Sequence, residues 1–133
     1  MQTVSFDRRK LRTTNSNRAM QLLFSSTAGR YGLEMVALAD SRGLLLVNWG
    51  DPQACDVLAA YGPLLVRTVD ASERAQIFST LSMLVPSATP GRLSVRRVST
   101  HGEDLYLCVV GGTGATKDVA LGSAASGARR ILA

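Results

Sequence analysis

Apolar positions along this chain change their period several times, and each change marks an element. From Arg18 to Ser26, Ala19, Leu22, Leu23 and Ser26 recur at helical spacing, with Ser16 or Asn17 as a cap and Gly29 as a stop. Two apolar runs follow, Leu33 to Ala39 and Leu44 to Trp49, separated by the turn Asp40-Ser41-Arg42-Gly43. They predict a β-hairpin. Asp51-Pro52 is a helix start, with Asp as N-cap and Pro in the first turn. Ala54, Val57, Leu58, Tyr61, Leu64, Leu65 and Thr68 continue at spacings of three and four, and Gly62-Pro63 is expected to kink or split that helix. A further helix is expected from Asp70, with Glu73 in capping-box position and Ile77, Phe78, Leu81, Leu84 and Val85 as its buried stripe.

Pro86 to Gly91 reads as a loop. A second hairpin is expected next, with Leu93, Val95 and Arg97 alternating against Ser94, Arg96 and Val98. His101 to Asp104 form its turn, and Leu105 to Val110 its return strand. Gly111 to Gly114 break the pattern before an Ala-rich helix from Lys117 to Leu132, with Arg129 and Arg130 near its end. The predicted order is helix, hairpin, long or split helix, hairpin, helix. Leu44, Leu45, Leu46 and Val47 are all apolar, so the first hairpin needs cover on both faces of its sheet. The fold class is α+β, an antiparallel sheet with helices on both faces.

Composition narrows the picture without changing it. With 133 residues and 46% apolar positions, the chain can build one core without disulfides or metal. No apolar run approaches the roughly 18 residues of a membrane span, so no membrane insertion is expected. The start lacks a secretory signal, which gives a cytoplasmic expectation and two reduced core thiols, Cys55 and Cys108. Of the net charge of +5, +4 lies before Ala19, carried by Arg8, Arg9, Lys10, Arg12 and Arg18 against Asp7. Residues 1–16 are therefore read as a basic, flexible leader and residues 17–133 as a single domain.

Candidate chemistry is sparse. The sole histidine, His101, falls in a turn, where solvation is its expected state, and Cys108 is not held against it. Two cysteines and one histidine cannot make a structural zinc site, and Glu103-Asp104 alone cannot make a calcium loop. Gly111-Gly-Thr-Gly-Ala-Thr-Lys117 looks like a phosphate loop, but Thr116 and Asp118 flank the lysine where a P-loop needs Gly and Ser or Thr. Glu34, an acid inside an apolar strand, is expected to face outward or to pair with an arginine. Neither a catalytic residue nor a cofactor is expected. The leader is an electrostatic candidate for nucleic acid, but only Phe6 supplies an aromatic, and Arg92, Arg96 and Arg97 add only a small patch.

Three phrases carry a resemblance. Leu33-Glu-Met-Val-Ala-Leu-Ala-Asp-Ser-Arg-Gly-Leu-Leu-Leu-Val, Asp51-Pro-Gln-Ala-Cys-Asp-Val-Leu-Ala-Ala-Tyr and Leu93 to Gly112, in this order, resemble the roadblock/LC7 family. The resemblance implies a sheet with a central helix on one face and the two terminal helices on the other. It also implies dimers, with itself or another roadblock-like protein, through the central helix and an edge strand. The implied work is non-enzymatic: an adaptor or regulator of a small Ras-like GTPase or its regulators, in bacteria often in cell polarity or motility. The chain departs from the family in the length of the segment Asp51 to Val85, and in lacking a recognisable last strand after Gly112. No GTPase-contacting residue is carried over. The candidate interface is the face Ala54, Val57, Leu58, Tyr61 and Leu65, with Ala59 and Ala60 allowing close approach, so that Leu58→Asp is expected to dissociate a dimer without unfolding it. The alternative is a basic nucleic-acid-binding protein that grips through the leader, with steep salt dependence that vanishes when the leader is deleted.

Overall fold

The computed structural model describes residues 14–112 and 114–132. The first helix, α1 (Thr14–Tyr31), starts earlier and ends later than the periodicity predicts. It runs through Gly29 and stops at Gly32, whose φ of 67° is the left-handed conformation that ends many helices. Its buried stripe is Met20, Phe24 and Ala28 with Leu23 beside it, whereas Leu22 points to solvent. The Thr27 hydroxyl, buried with that stripe, donates to the Leu23 carbonyl at 2.8 Å and so costs little to bury.

The first hairpin forms as expected, β1 (Leu33–Asp40) against β2 (Leu45–Trp49). Its turn is held by a buried carboxylate: Asp40 Oδ1 accepts from the amides of Arg42 and Leu44 at 2.9 and 3.0 Å. Gly43, at φ 88°, lets the turn lie on the next helix, since a Cβ there would stand 3.3 Å from the Ala60 Cα. That helix is α2 (Pro52–Arg67), capped by Asp51, whose side chain accepts from the Ala54 amide at 2.9 Å.

Pro63 lies inside α2 and does not split it. The break comes later, at Thr68 to Asp70, where Arg74 donates from Nη1 to the carbonyls of Leu65 and Thr68 and so caps the C-terminus of α2. The next helix, α3 (Ala71–Leu84), begins at Asp70, which accepts from the Glu73 amide at 2.9 Å. Of its predicted stripe, Leu81 and Val85 are buried, Ile77 and Phe78 are half-buried, and Leu84 is exposed. The stripe is narrower than predicted because α3 packs mainly on α2, outside the sheet layer.

The second hairpin pairs β3 (Leu93–Thr100) with β4 (Glu103–Gly111). Its turn is only His101-Gly102, at φ 53° and 78°, so Glu103 and Asp104 belong to the strand and not to the turn. From Gly111 the chain passes through Gly112 to the last helix, α4 (Gly114–Leu132). Among the described residues there is no strand in that interval.

The four strands form one antiparallel sheet in the order β2-β1-β4-β3. One face carries α1 and α4 and holds Met20, Phe24, Val36, Leu38, Leu107, Val109 and the alanines 120, 124 and 128. The other carries α2, with α3 outside it, over Met35, Ala37, Cys55, Leu58, Cys108 and Val110. The central helix and the two terminal helices therefore lie on opposite faces, as the resemblance implies.

Candidate functional site

Sequence periodicity places Ala54, Val57, Leu58, Tyr61 and Leu65 on one face of α2. The structure divides them. Leu58 and Leu65 are 1% and 2% exposed and belong to the core under the helix, while Ala54, Val57 and Tyr61 are half-buried at its sides. A charge at Leu58 would sit in that core, so Leu58→Asp would unfold the chain instead of separating two copies.

The outward surface of α2 is turned by about one ridge: Gln53, Asp56, Ala60, Leu64 and Arg67 are exposed, with Val57 at its margin. Leu64 is 40% exposed, and Leu44, beside the Gly43 that rests on Ala60, is 53% exposed. Ala60, Leu64 and Leu44 thus put apolar surface at the middle of the helix. Asp56 stands one turn before Ala60, and Arg67 lies near the C-terminal end, where its Nη1 also donates to the Ser41 carbonyl at 3.0 Å. Spacing alone does not separate the buried ridge from the exposed one, because Leu58 and Leu64 both fit a three-four pattern. The signal that separates them is the buried position of Gly62, whose Cβ would stand 2.5 Å from Cys108 Sγ, which fixes which side meets the sheet.

The remaining candidates are placed as follows. Both thiols are buried and reduced. Burial pushes the Cys108 thiol up to about 12, and burial likewise raises Cys55 to about 11. Such thiols are poor nucleophiles near neutral pH. His101 is not simply solvated: its Nε2 lies 3.0 Å from the Leu132 carbonyl, joining the hairpin tip to the end of α4. Lys117 turns away from the glycines, donating to the Gly91 carbonyl at 2.9 Å and so tying α4 to the loop before β3. Glu34 accepts from Arg92 Nη2 at 2.9 Å, a half-exposed surface pair. Among the described residues, no group of His, Cys, Asp and Glu has the makings of a metal site. Arg8, Arg9, Lys10 and Arg12 lie outside the described residues. No described helix is long and apolar enough to cross a membrane.

Against known proteins, no family model matches the chain, and no curated protein matches its sequence. Its architecture is similar to a solved structure described as MglB with tetrameric arrangement. That likeness covers 90% of this chain and 90% of the other at a TM-score of 0.53, with 19% identity. MglB has the roadblock/LC7 fold. The chain thus has a roadblock/LC7-like fold, with a short second helix, α3, packed outside the central one.

Proposed function

We propose that this chain is a non-enzymatic adaptor that dimerises through α2 and regulates a small Ras-like GTPase or the complex that contains one. The observation that carries the reading is the fold itself, shared over nine-tenths of both chains with MglB. The surface of α2 supports it. Two copies of this helix laid antiparallel across a two-fold axis would bring Val57 and Ala60 of each against Leu64 and Ala60 of the other. Asp56 of each would then approach Arg67 of the other, so the charges of the ridge are complementary to themselves. Leu44 extends the apolar area from the neighbouring turn. A cytoplasmic setting, and a role in polarity or motility, follow from the same reading.

The test is capture of small Ras-like GTPases from the source genome, each loaded with GDP or with a non-hydrolysable GTP analogue. The reading expects one of them to bind in a nucleotide-dependent way and its hydrolysis or exchange rate to change. Equal indifference of all of them in both nucleotide states would remove the reading.

A further inference from the structure

Charge is divided unequally between the two helical layers. The α1/α4 layer carries Arg18, Arg30, Lys117, Arg129 and Arg130, with Asp118 as its one acidic residue. The α2/α3 layer, with its two N-caps, carries Asp51, Asp56, Asp70 and Glu73 against Arg67 and Arg74. By strand alternation the sheet adds Arg96 and Glu103 to the α1/α4 side, and these offset each other. Asp40, on the same side, is buried and held by the amides of its turn. Among the described residues, no carboxylate pairs with Arg18, Arg30, Arg129 or Arg130.

The packing of α1 and α4 gathers much of this charge at one end. Leu33, just after α1, pairs with Gly111, just before α4, so α1 ends where α4 begins and the helices run antiparallel. Towards the other end, a Cβ on Gly127 would stand 2.7 Å from Leu23 Cδ1. Arg18 lies a little over a turn before Leu23, and Arg130 nearly a turn after Gly127, so both sit where α1 starts. Arg8, Arg9, Lys10 and Arg12 precede α1 in the sequence and are tethered to that same end. Away from the sheet, Arg18, Leu22, Ser25 and Gly29 follow one another along α1, and Val119, Ser123, Ser126 and Arg130 along α4, all exposed. Small residues make the middle of this surface shallow, and Leu22 and Val119 stand out of it at 63% and 55% exposure.

We infer that the outer surface of α1 and α4 docks on an anionic lipid bilayer, to which the chain adsorbs without crossing it. Charge complementarity selects an anionic partner, and the tethered basic leader adds to the attraction. The shape of the surface selects a bilayer. A shallow face can lie along a plane of headgroups, with the arginines among the phosphates and with Leu22 and Val119 at the headgroup–acyl boundary. A nucleic acid calls for aromatics on which bases stack or amides aimed at base edges, and neither stripe has one. An acidic partner helix calls for a continuous apolar seam, and two separate residues, one on each helix, do not make one. This surface lies across the sheet from the α2 ridge and owes nothing to the GTPase reading, so each can fail alone.

The test is flotation of the full chain with vesicles of phosphatidylcholine mixed with phosphatidylserine, and with vesicles of phosphatidylcholine alone. The chain should bind the mixed vesicles only, and added salt should weaken binding. Arg18→Glu with Arg130→Glu should weaken it at least tenfold, and the milder Arg18→Gln with Arg130→Gln by an intermediate factor. Arg42→Glu with Arg97→Glu makes the same change in net charge on the side of α2 and should leave binding within about twofold. Thermal melts check that each variant folds, and the neutral pair keeps the test open if the reversed pair does not. No binding to the mixed vesicles, equal binding to both kinds, or equal losses from the two reversed pairs would each overturn the inference. So would tighter binding of a random-sequence DNA duplex or of polyglutamate, lost on the same Arg18 and Arg130 substitutions, since the surface would then belong to another polyanion.

Discussion

The two faces of the sheet are both covered, but they are covered to different ends. On the α1/α4 face, Met20 and Phe24 supply bulk, and alanines 120, 124 and 128 let α4 settle on the strands. Gly127 makes room there for Leu23, whose Cδ1 would stand 2.7 Å from a Cβ at that position. That face is sealed, and its exposed apolar residues, Leu22 and Val119, are isolated on separate helices. On the other face, α2 meets the sheet as closely, through Gly62 over Cys108, but it keeps Ala60 and Leu64 turned away from the sheet among polar neighbours. Outside it, α3 has Leu81 as its one buried residue and leaves Met83 and Leu84 exposed. A helix needs one apolar stripe to join a core. A surplus remains exposed on α2 and α3, and the proposed dimer would cover the part on α2.

Substitutions can break this contrast at several depths. The largest effect is expected from Leu58→Asp, which places a charge in the core beneath α2; it should cost roughly 4 kcal/mol or more, read as loss of the folded baseline in urea. Gly62→Val is next. Its Cβ overlaps Cys108 Sγ, and overpacking there should cost roughly 2–3 kcal/mol, partly recovered by adding Cys108→Ala. If the single Gly62 variant melts like the wild type, the close approach of α2 to the sheet is wrong.

The thiols give a pH signature to the same face. The folded state holds Cys55 and Cys108 protonated to about 11 and about 12, above the 9.0 of a free thiol. Between pH 9 and 12 the unfolded chain binds fewer protons, so their contribution to stability is complete below pH 9 and falls as pH rises through that window. Urea midpoints measured from pH 8 to 10.5 should decline, and Cys108→Ala should flatten the decline. An unchanged slope would remove Cys108 as its source.

Two smaller effects test the helix ends. Asp51→Ala should cost about 1 kcal/mol through loss of the cap on the Ala54 amide. Gly29→Ala, on the sealed face's α1, should stabilise by roughly 0.5–1 kcal/mol, because nothing lies within 4 Å of the new Cβ and the position is helical. A loss of stability would mean that α1 ends at Gly29 after all.

That last position shows where sequence reading stopped. Strands apolar on both faces, Asp51-Pro52, the cap at Asp70 and the turn at Gly43 were legible because each depends on local chemistry. The α+β order followed from them, whereas the allocation of helices to faces came from the roadblock/LC7 resemblance. Gly29 misled because glycine ends helices often, yet here Gly32 does so at positive φ. Pro63 does not split α2, which is held to the core by Leu58 and Leu65 on both sides of it. The Leu58 and Leu64 ridges have the same spacing, so which one faces solvent is decided by Gly62 against Cys108, a contact between residues far apart in sequence. Arg96 and Arg97, adjacent in a strand, must point to opposite faces, but only the sheet order reveals that their strand lies at an edge.

The central claim is that the α2 ridge, and not the sealed face, is where two copies meet. Sedimentation equilibrium of the wild type, Leu64→Asp and Val119→Asp tests it directly, with circular dichroism to confirm that all three fold. The account predicts a dimer for the wild type and Val119→Asp, and a folded monomer for Leu64→Asp. A monomeric wild type, or a dimer that survives Leu64→Asp and is lost with Val119→Asp, would contradict it.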